Sequence, residues 1–193
     1  MEVREIREKY PYLYETHLHT REASACAKNS AQEMVQAAKD YGYAGIFVTN
    51  HAWYGNTSVD RSLPWEEWVH GFCAPFYTAK AYGDQIGLSV FFGYESCYQG
   101  TEFLIYGVDE EWLLTHPEIK DATITEQLQL VREQGGLVMH AHPFREEAYI
   151  PRVRLFPELV DGVEGINATH SSHLSTSHND PRFDERAIAY ARE

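Results

Sequence analysis

The chain has 193 residues, 44% hydrophobic and 13% aromatic, which is enough for one sizeable core and too apolar for a disordered segment. Its 16 Lys and Arg against 29 Asp and Glu leave a net charge of −13 with no basic run, which argues against a surface built to track long nucleic acid. No apolar run of roughly 18 residues is present to span a membrane, Met1-Glu2-Val3-Arg4-Glu5 is too polar for a signal peptide, and Cys26, Cys73 and Cys97 are a scattered, odd set that makes no disulfide framework. The expectation is one cytoplasmic domain over residues 1–193, without a membrane partner.

Tyr12 to His19 reads as a strand rich in Tyr, Thr and Leu, with Leu13, Glu15, His17 and His19 on one face. Ser30-Ala31-Gln32-Glu33 is a capping box opening a helix through Met34, Val35, Ala37 and Ala38 that stops near Gly42. Ala44 to Thr49 is a continuous apolar run of the kind found in a buried parallel strand. Pro64 to Tyr82, with Trp65, Trp68, Val69, Phe72 and Phe76, predicts an amphipathic helix interrupted at Pro75. Leu88 to Tyr94 and Glu102 to Val108 read as further strands, and Thr123-Ile124-Thr125-Glu126 caps a helix that ends at Gly135-Gly136. Leu137 to His142 is a strand stopped by Pro143, Val163 to Ile166 a short strand, and Arg182 to Arg192 a last helix. Alternating strands and helices imply a parallel sheet covered on both faces. A barrel is favoured over an open sheet because polar residues stand at successive strand ends, which a barrel brings to one mouth.

Four segments carry the chemistry: Glu15-Thr16-His17-Leu18-His19, Thr49-Asn50-His51, Gly93-Tyr94-Glu95, and His140-Ala141-His142-Pro143 followed by Phe144-Arg145. His17 and His19 are two apart on a strand, so both imidazoles project to one side and can grip one ion. His51 directly follows an apolar strand. Glu95 is expected to end one, at a depth where a carboxylate needs an ion or a cation partner. His142 stands at its strand end and is the better ligand; His140 lies deeper, in a supporting or core position. His170, His173 and His178 follow Asn167 in a polar loop and are expected to be mostly solvated, with His170 near enough to the mouth to touch substrate.

In combination these segments resemble the PHP (polymerase and histidinol phosphatase) superfamily of metal-dependent phosphoesterases, from about Tyr12 onward. Glu15-Thr16-His17-Leu18-His19-Thr20 is similar to its first motif, Thr49-Asn50-His51 to its Thr-Asp-His, Gly93-Tyr94-Glu95 to its third, and His142-Pro143-Phe144-Arg145 to its His-Pro-x-Arg. Gly162-Val163-Glu164-Gly165-Ile166-Asn167 resembles a later Gly-x-Glu-x-x-Asn strand. The resemblance implies a distorted (βα)7, TIM-like α/β barrel holding two or three Mn, Fe or Zn ions at its C-terminal mouth. His17, His19, His51, Glu95 and His142 would be the ligands.

Three departures stand out. Asn50 replaces an aspartate. After His19 the family's further Asp or His is absent, leaving Glu22 or Cys26 as substitutes. The final Gly-Ser-Asp-x-His strand has no counterpart before Glu193, and Glu102 is the nearest stand-in for a histidine expected between the third and fourth motifs. The expectations that follow are a C-terminally incomplete barrel, fewer ions, weakened activity, and a seam covered by Met1 to Pro11 or by a second copy in a homo-oligomer.

The reaction implied is hydrolysis of a phosphomonoester or small phosphodiester, of the nucleotide or sugar phosphate class, by metal-activated water, with His142 at the metals and Arg145 clamping the phosphate. A non-catalytic metal- or nucleotide-binding relative is one rival reading. An amidohydrolase is the other, although the bridging lysine it needs is not evident at a strand end.

Overall fold

The protein was analysed as a computed structural model that describes residues 8–175 and 180–193. His178 and the first seven residues of the segment expected to cover a seam lie outside the described residues.

Strand β1 is Tyr14–Leu18. Helix α1, Ala31–Asp40, starts at the predicted capping box: Ser30 Oγ accepts from the Glu33 amide and the Glu33 carboxylate accepts from the Ser30 amide at 2.7 Å. Gly42, at φ +81°, closes it in a conformation glycine adopts without strain. Its apolar face, Ala31, Val35 and Ala38, packs with Leu18, with Ile46 and Val48 of β2 (Gly45–Val48), and with Val90. Helix α2, Trp65–Ile86, runs unbroken through Pro75, where an interruption was expected. Trp68, Val69, Phe72, Cys73 and Ala79 are buried on both sides of the proline, and that packing outweighs the roughly 3 kcal/mol a mid-helix proline costs.

The sheet departs from the all-parallel expectation. Strand β3, Ser89–Tyr98, pairs parallel with β2 over Ser89–Phe92, then antiparallel with β4, Thr101–Tyr106, from Gly93 onward. The reason lies in the turn. Gln99 and Gly100, at φ +54° and +82°, reverse the chain in two residues, whereas a parallel return needs a crossover of about a dozen. A Cβ on Gly100 would also collide with Ile150. Strand β5, Leu137–Ala141, is antiparallel to β4, and β6, Gly162–Val163, is parallel to β5. Helices α3 (Glu110–Thr115) and α4 (Ile124–Glu133) lie between β4 and β5, while α5 (Ala168–Ser171) and α6 (Arg182–Tyr190) follow β6. Asp109 caps α3, an element the sequence reading passed over, and Thr123 with Glu126 forms the predicted box on α4.

The described residues thus hold one six-stranded sheet in sequential order, β1 to β6, rather than seven parallel strands. It is curled: Glu164, just after one edge strand, lies 2.8 Å from His17 on the opposite edge strand. A larger core gathers Trp68, Phe72, Tyr94, Phe103 and Leu128; the smaller one is that between α1 and β2. No helix among the described residues is long and apolar enough to cross a membrane.

Candidate metal centre

Glu95 is the hub. It was expected at a strand end but sits in the body of β3, because antiparallel pairing with β4 carries that strand on to Tyr98. Its carboxylate is fully buried. Oε1 lies 3.3 Å from His17 Nε2 and 3.1 Å from His142 Nε2; Oε2 lies 3.4 Å from His19 Nε2 and 2.7 Å from His51 Nδ1. Four imidazoles from three separate strand ends therefore converge on one carboxylate. His51 is registered opposite it by a parallel bridge extending the β2–β3 pairing. His142 has φ +27°, strain that costs about 1–3 kcal/mol in a non-glycine residue. Two bonds hold it there: its N–H donates to Glu164 Oε2 at 2.9 Å, and its carbonyl accepts from the Arg145 amide at 3.1 Å.

These residues fit divalent ions, because the side chains do not satisfy one another. His51 Nδ1 and Glu95 Oε2 are 2.7 Å apart yet not aligned for a hydrogen bond, and both buried atoms go without one. His19 Nδ1 and His142 Nδ1 are also buried and unpartnered. His17 and His19 bring Nε2 to Nε2 at 3.2 Å. Their environments then divide the protons. Burial opposes protonation of His17, but Glu95 and Glu164 outweigh it and hold its pKa well above the ordinary value. Burial likewise opposes His51, which Glu95 and Cys26 raise to about 10. Burial wins at His19, lowered to about 3. Burial would raise Glu95, yet the facing His17 and His51 hold it well below the carboxylate range. A buried anion ringed by nitrogen donors is what borderline divalent ions such as Fe or Zn take. Three donor sets have ligand atoms within 4.8 Å of one another: His17–Glu95–His142, His51–Glu95–Glu102 and His19–Cys26–His51.

Glu164 was quoted in a motif but not proposed as a site residue. Its Oε1 meets His17 Nδ1 at 2.8 Å, and Asn167 Nδ2 donates to both its oxygens. Burial would raise its pKa, but His17 lowers it to about 2. It orients the His17 imidazole, an arrangement that would also raise its basicity toward an ion. The signal was there: a glutamate after a short strand, in the last recognisable motif. Glu164→Gln should weaken binding of the ion at His17 about tenfold, read by calorimetric titration of metal into stripped protein.

The other sequence candidates fall into two groups. Glu102, on β4, reaches the centre: it is 3.4 Å from His142 Nε2 and 2.5 Å from Arg145 Nη2. Arg145 lies half-buried on Glu102, with Nε unpartnered. His140 is core, its ring stacked on Phe103 at 4.8 Å and its pKa lowered by burial to about 4. Glu22 accepts from the Ala31 amide at the start of α1 and is exposed. His170 is not solvated as expected but 1% exposed, because Asp184, 2.6 Å from its Nδ1, and Phe183 of α6 pack against it. His173 is exposed.

No family model and no curated protein matches this sequence. Solved structures do match its shape. One is a protein of Bifidobacterium adolescentis provisionally described as a metal-dependent phosphoesterase: 12% identity, 94% of this chain and 83% of that one covered, TM-score 0.56. Another, from Bacteroides vulgatus, is a two-domain protein containing a predicted PHP-like metal-dependent phosphoesterase: 16% identity, 92% of this chain and 47% of that one covered, TM-score 0.61. The chain therefore shares its overall fold with these two structures.

Proposed function

We propose that the protein is a metal-dependent phosphoesterase that hydrolyses a phosphomonoester or small phosphodiester of the nucleotide or sugar phosphate class. The observation that carries this reading is the buried Glu95 carboxylate ringed by four imidazoles beside the half-buried Arg145. His17, Glu95 and His142 would hold one ion, with Glu102 and His51 extending the set around Glu95. Such ions lower the pKa of bound water so that hydroxide is available near neutral pH, and they offset charge on phosphate oxygens. The chain supplies the rest. Glu164 sets the His17 ring, and Glu102 anchors Arg145 by one guanidinium nitrogen. Arg145 lines an open cleft and offers a planar guanidinium to a phosphate there.

The test combines turnover with stability. Chelator-stripped protein should show no hydrolysis of p-nitrophenyl phosphate or its bis ester, and Mn2+ or Zn2+ should restore it. At a hundredfold excess over Kd, one bound ion adds about 2.7 kcal/mol, and at about 2–4 °C per kcal/mol the melting temperature should rise about 5–10 °C. A rise in Tm without turnover on any phosphate ester would favour the binding-module reading. No rise would mean that the cluster is not a metal centre.

A further inference from the structure

The cluster holds a thiol that the reaction above does not use. Cys26 lies on the exposed turn after β1, and its Sγ, one nitrogen of His19 and one of His51 fall within 4.8 Å of one another. His51 is nine-tenths buried with Nδ1 unpartnered, and His19 Nδ1 is buried and unpartnered too. A tetrahedral zinc ion, at about 2.0–2.1 Å from nitrogen and about 2.3 Å from sulfur, needs its donors about 3.3–3.8 Å apart.

The turn is held in place for this. Asn50 Oδ1 accepts from the Thr20 amide at 2.7 Å and from Ser24 Oγ at 2.9 Å, while its Nδ2 donates to Thr20 Oγ1 at 3.1 Å. Ser24 Oγ in turn accepts from the His51 amide at 3.0 Å, tying the turn to the histidine itself. On either side of Cys26, the Ala25 amide donates to Asn56 O at 2.8 Å and the Ala27 amide to Ser24 O at 3.1 Å. Asn50 is neutral and fully engaged in these bonds, so it positions the thiol's loop and leaves the anionic ligand to sulfur.

We propose that Cys26 is a thiolate ligand to an ion shared with His19 and His51, and that this position selects zinc over manganese or magnesium. On binding, the S–H proton leaves to solvent as the sulfur–metal bond forms, with no change of oxidation state. Sulfur favours zinc because soft thiolates bind thiophilic ions, while manganese and magnesium prefer oxygen. The proposal rests on the metal-centre reading above, and the experiment separates the two.

The experiment is titration of the stripped protein with Co2+, followed by absorption spectroscopy. Wild type should develop the intense near-ultraviolet band of thiolate-to-cobalt charge transfer together with the weaker visible bands of nitrogen and oxygen ligation. Cys26→Ser, in an exposed turn, should lose the near-ultraviolet band, keep the visible ones, and bind its weakest zinc about tenfold less tightly. Cys97→Ser, which alters the other thiol near Glu102, should leave the near-ultraviolet band intact. Visible bands with no Cys26-dependent charge transfer, or a band that vanishes only in Cys97→Ser, would overturn the thiolate ligand and leave the metal centre standing. No cobalt bands at all would overturn both.

Discussion

Glu95→Gln should abolish the metal centre while leaving a folded protein. The carboxylate lies within 3.4 Å of all four rings, His17, His19, His51 and His142. An amide of nearly the same shape keeps the packing, loses the charge, and turns an NH2 group toward imidazole nitrogens. Metal affinity should fall at least about a hundredfold and phosphate ester hydrolysis roughly a thousandfold. Equilibrium dialysis with elemental analysis, beside steady-state kinetics, measures both. The same substitution has a signature in metal-free protein. His51 is raised by Glu95, against burial, to about 10, above the roughly 6.5 of an unfolded chain. A raised histidine stabilises the fold fully below the unfolded pKa and loses that contribution as pH climbs through the folded one. Urea midpoints of stripped wild type should therefore fall between about pH 6.5 and 10, and those of Glu95→Gln should fall less. A variant with full metal stoichiometry and full turnover would place the centre elsewhere.

Arg145 should show two separable effects. Its guanidinium sits on the buried Glu102 carboxylate, which also lies 3.4 Å from the His142 ring. Truncation in Arg145→Ala strands a buried anion, so stability should fall by about 3–5 kcal/mol, read from denaturant midpoints. Arg145→Lys retains the charge and should retain most of the stability. It lacks the planar fork that can hold Glu102 with one nitrogen and phosphate with the others, so kcat/KM should drop about tenfold or more with metal content unchanged. Equal kinetics for Lys and Arg would reduce the residue to a structural cation, and inhibition by inorganic phosphate, measured in parallel, should weaken with it.

The local signals in the sequence translated directly into structure wherever short-range chemistry was sufficient. Ser30 with Glu33 and Thr123 with Glu126 made the predicted boxes, Gly42 and Gly135 ended the helices, and the apolar run after Ala44 became β2. The His-x-His spacing of His17 and His19 put both rings on one side of β1, because side chains on a strand alternate with period two. Where packing competed with a local rule, packing decided: Pro75 could not break a helix whose Trp68, Phe72 and Ala79 are buried around it.

The residues that meet around Glu95 were therefore legible in the chain itself as candidates: strand-end histidines, a glutamate after an apolar run, an arginine beyond His-Pro. What the tertiary structure decided was who meets whom. Gln99 and Gly100 reverse the chain so that β4 inserts antiparallel beside β3, which lengthens β3, buries Glu95 in mid-strand and delivers Glu102 to Arg145. The curl of the sheet brings Glu164 from the last strand to His17 on the first, across 147 positions of sequence. A turn pinned by Asn50 sets Cys26 beside His19 and His51. Each of these meetings depends on strand pairing and sheet curvature, which are set by the summed packing of the whole core and leave no mark in the spacing of the residues that meet.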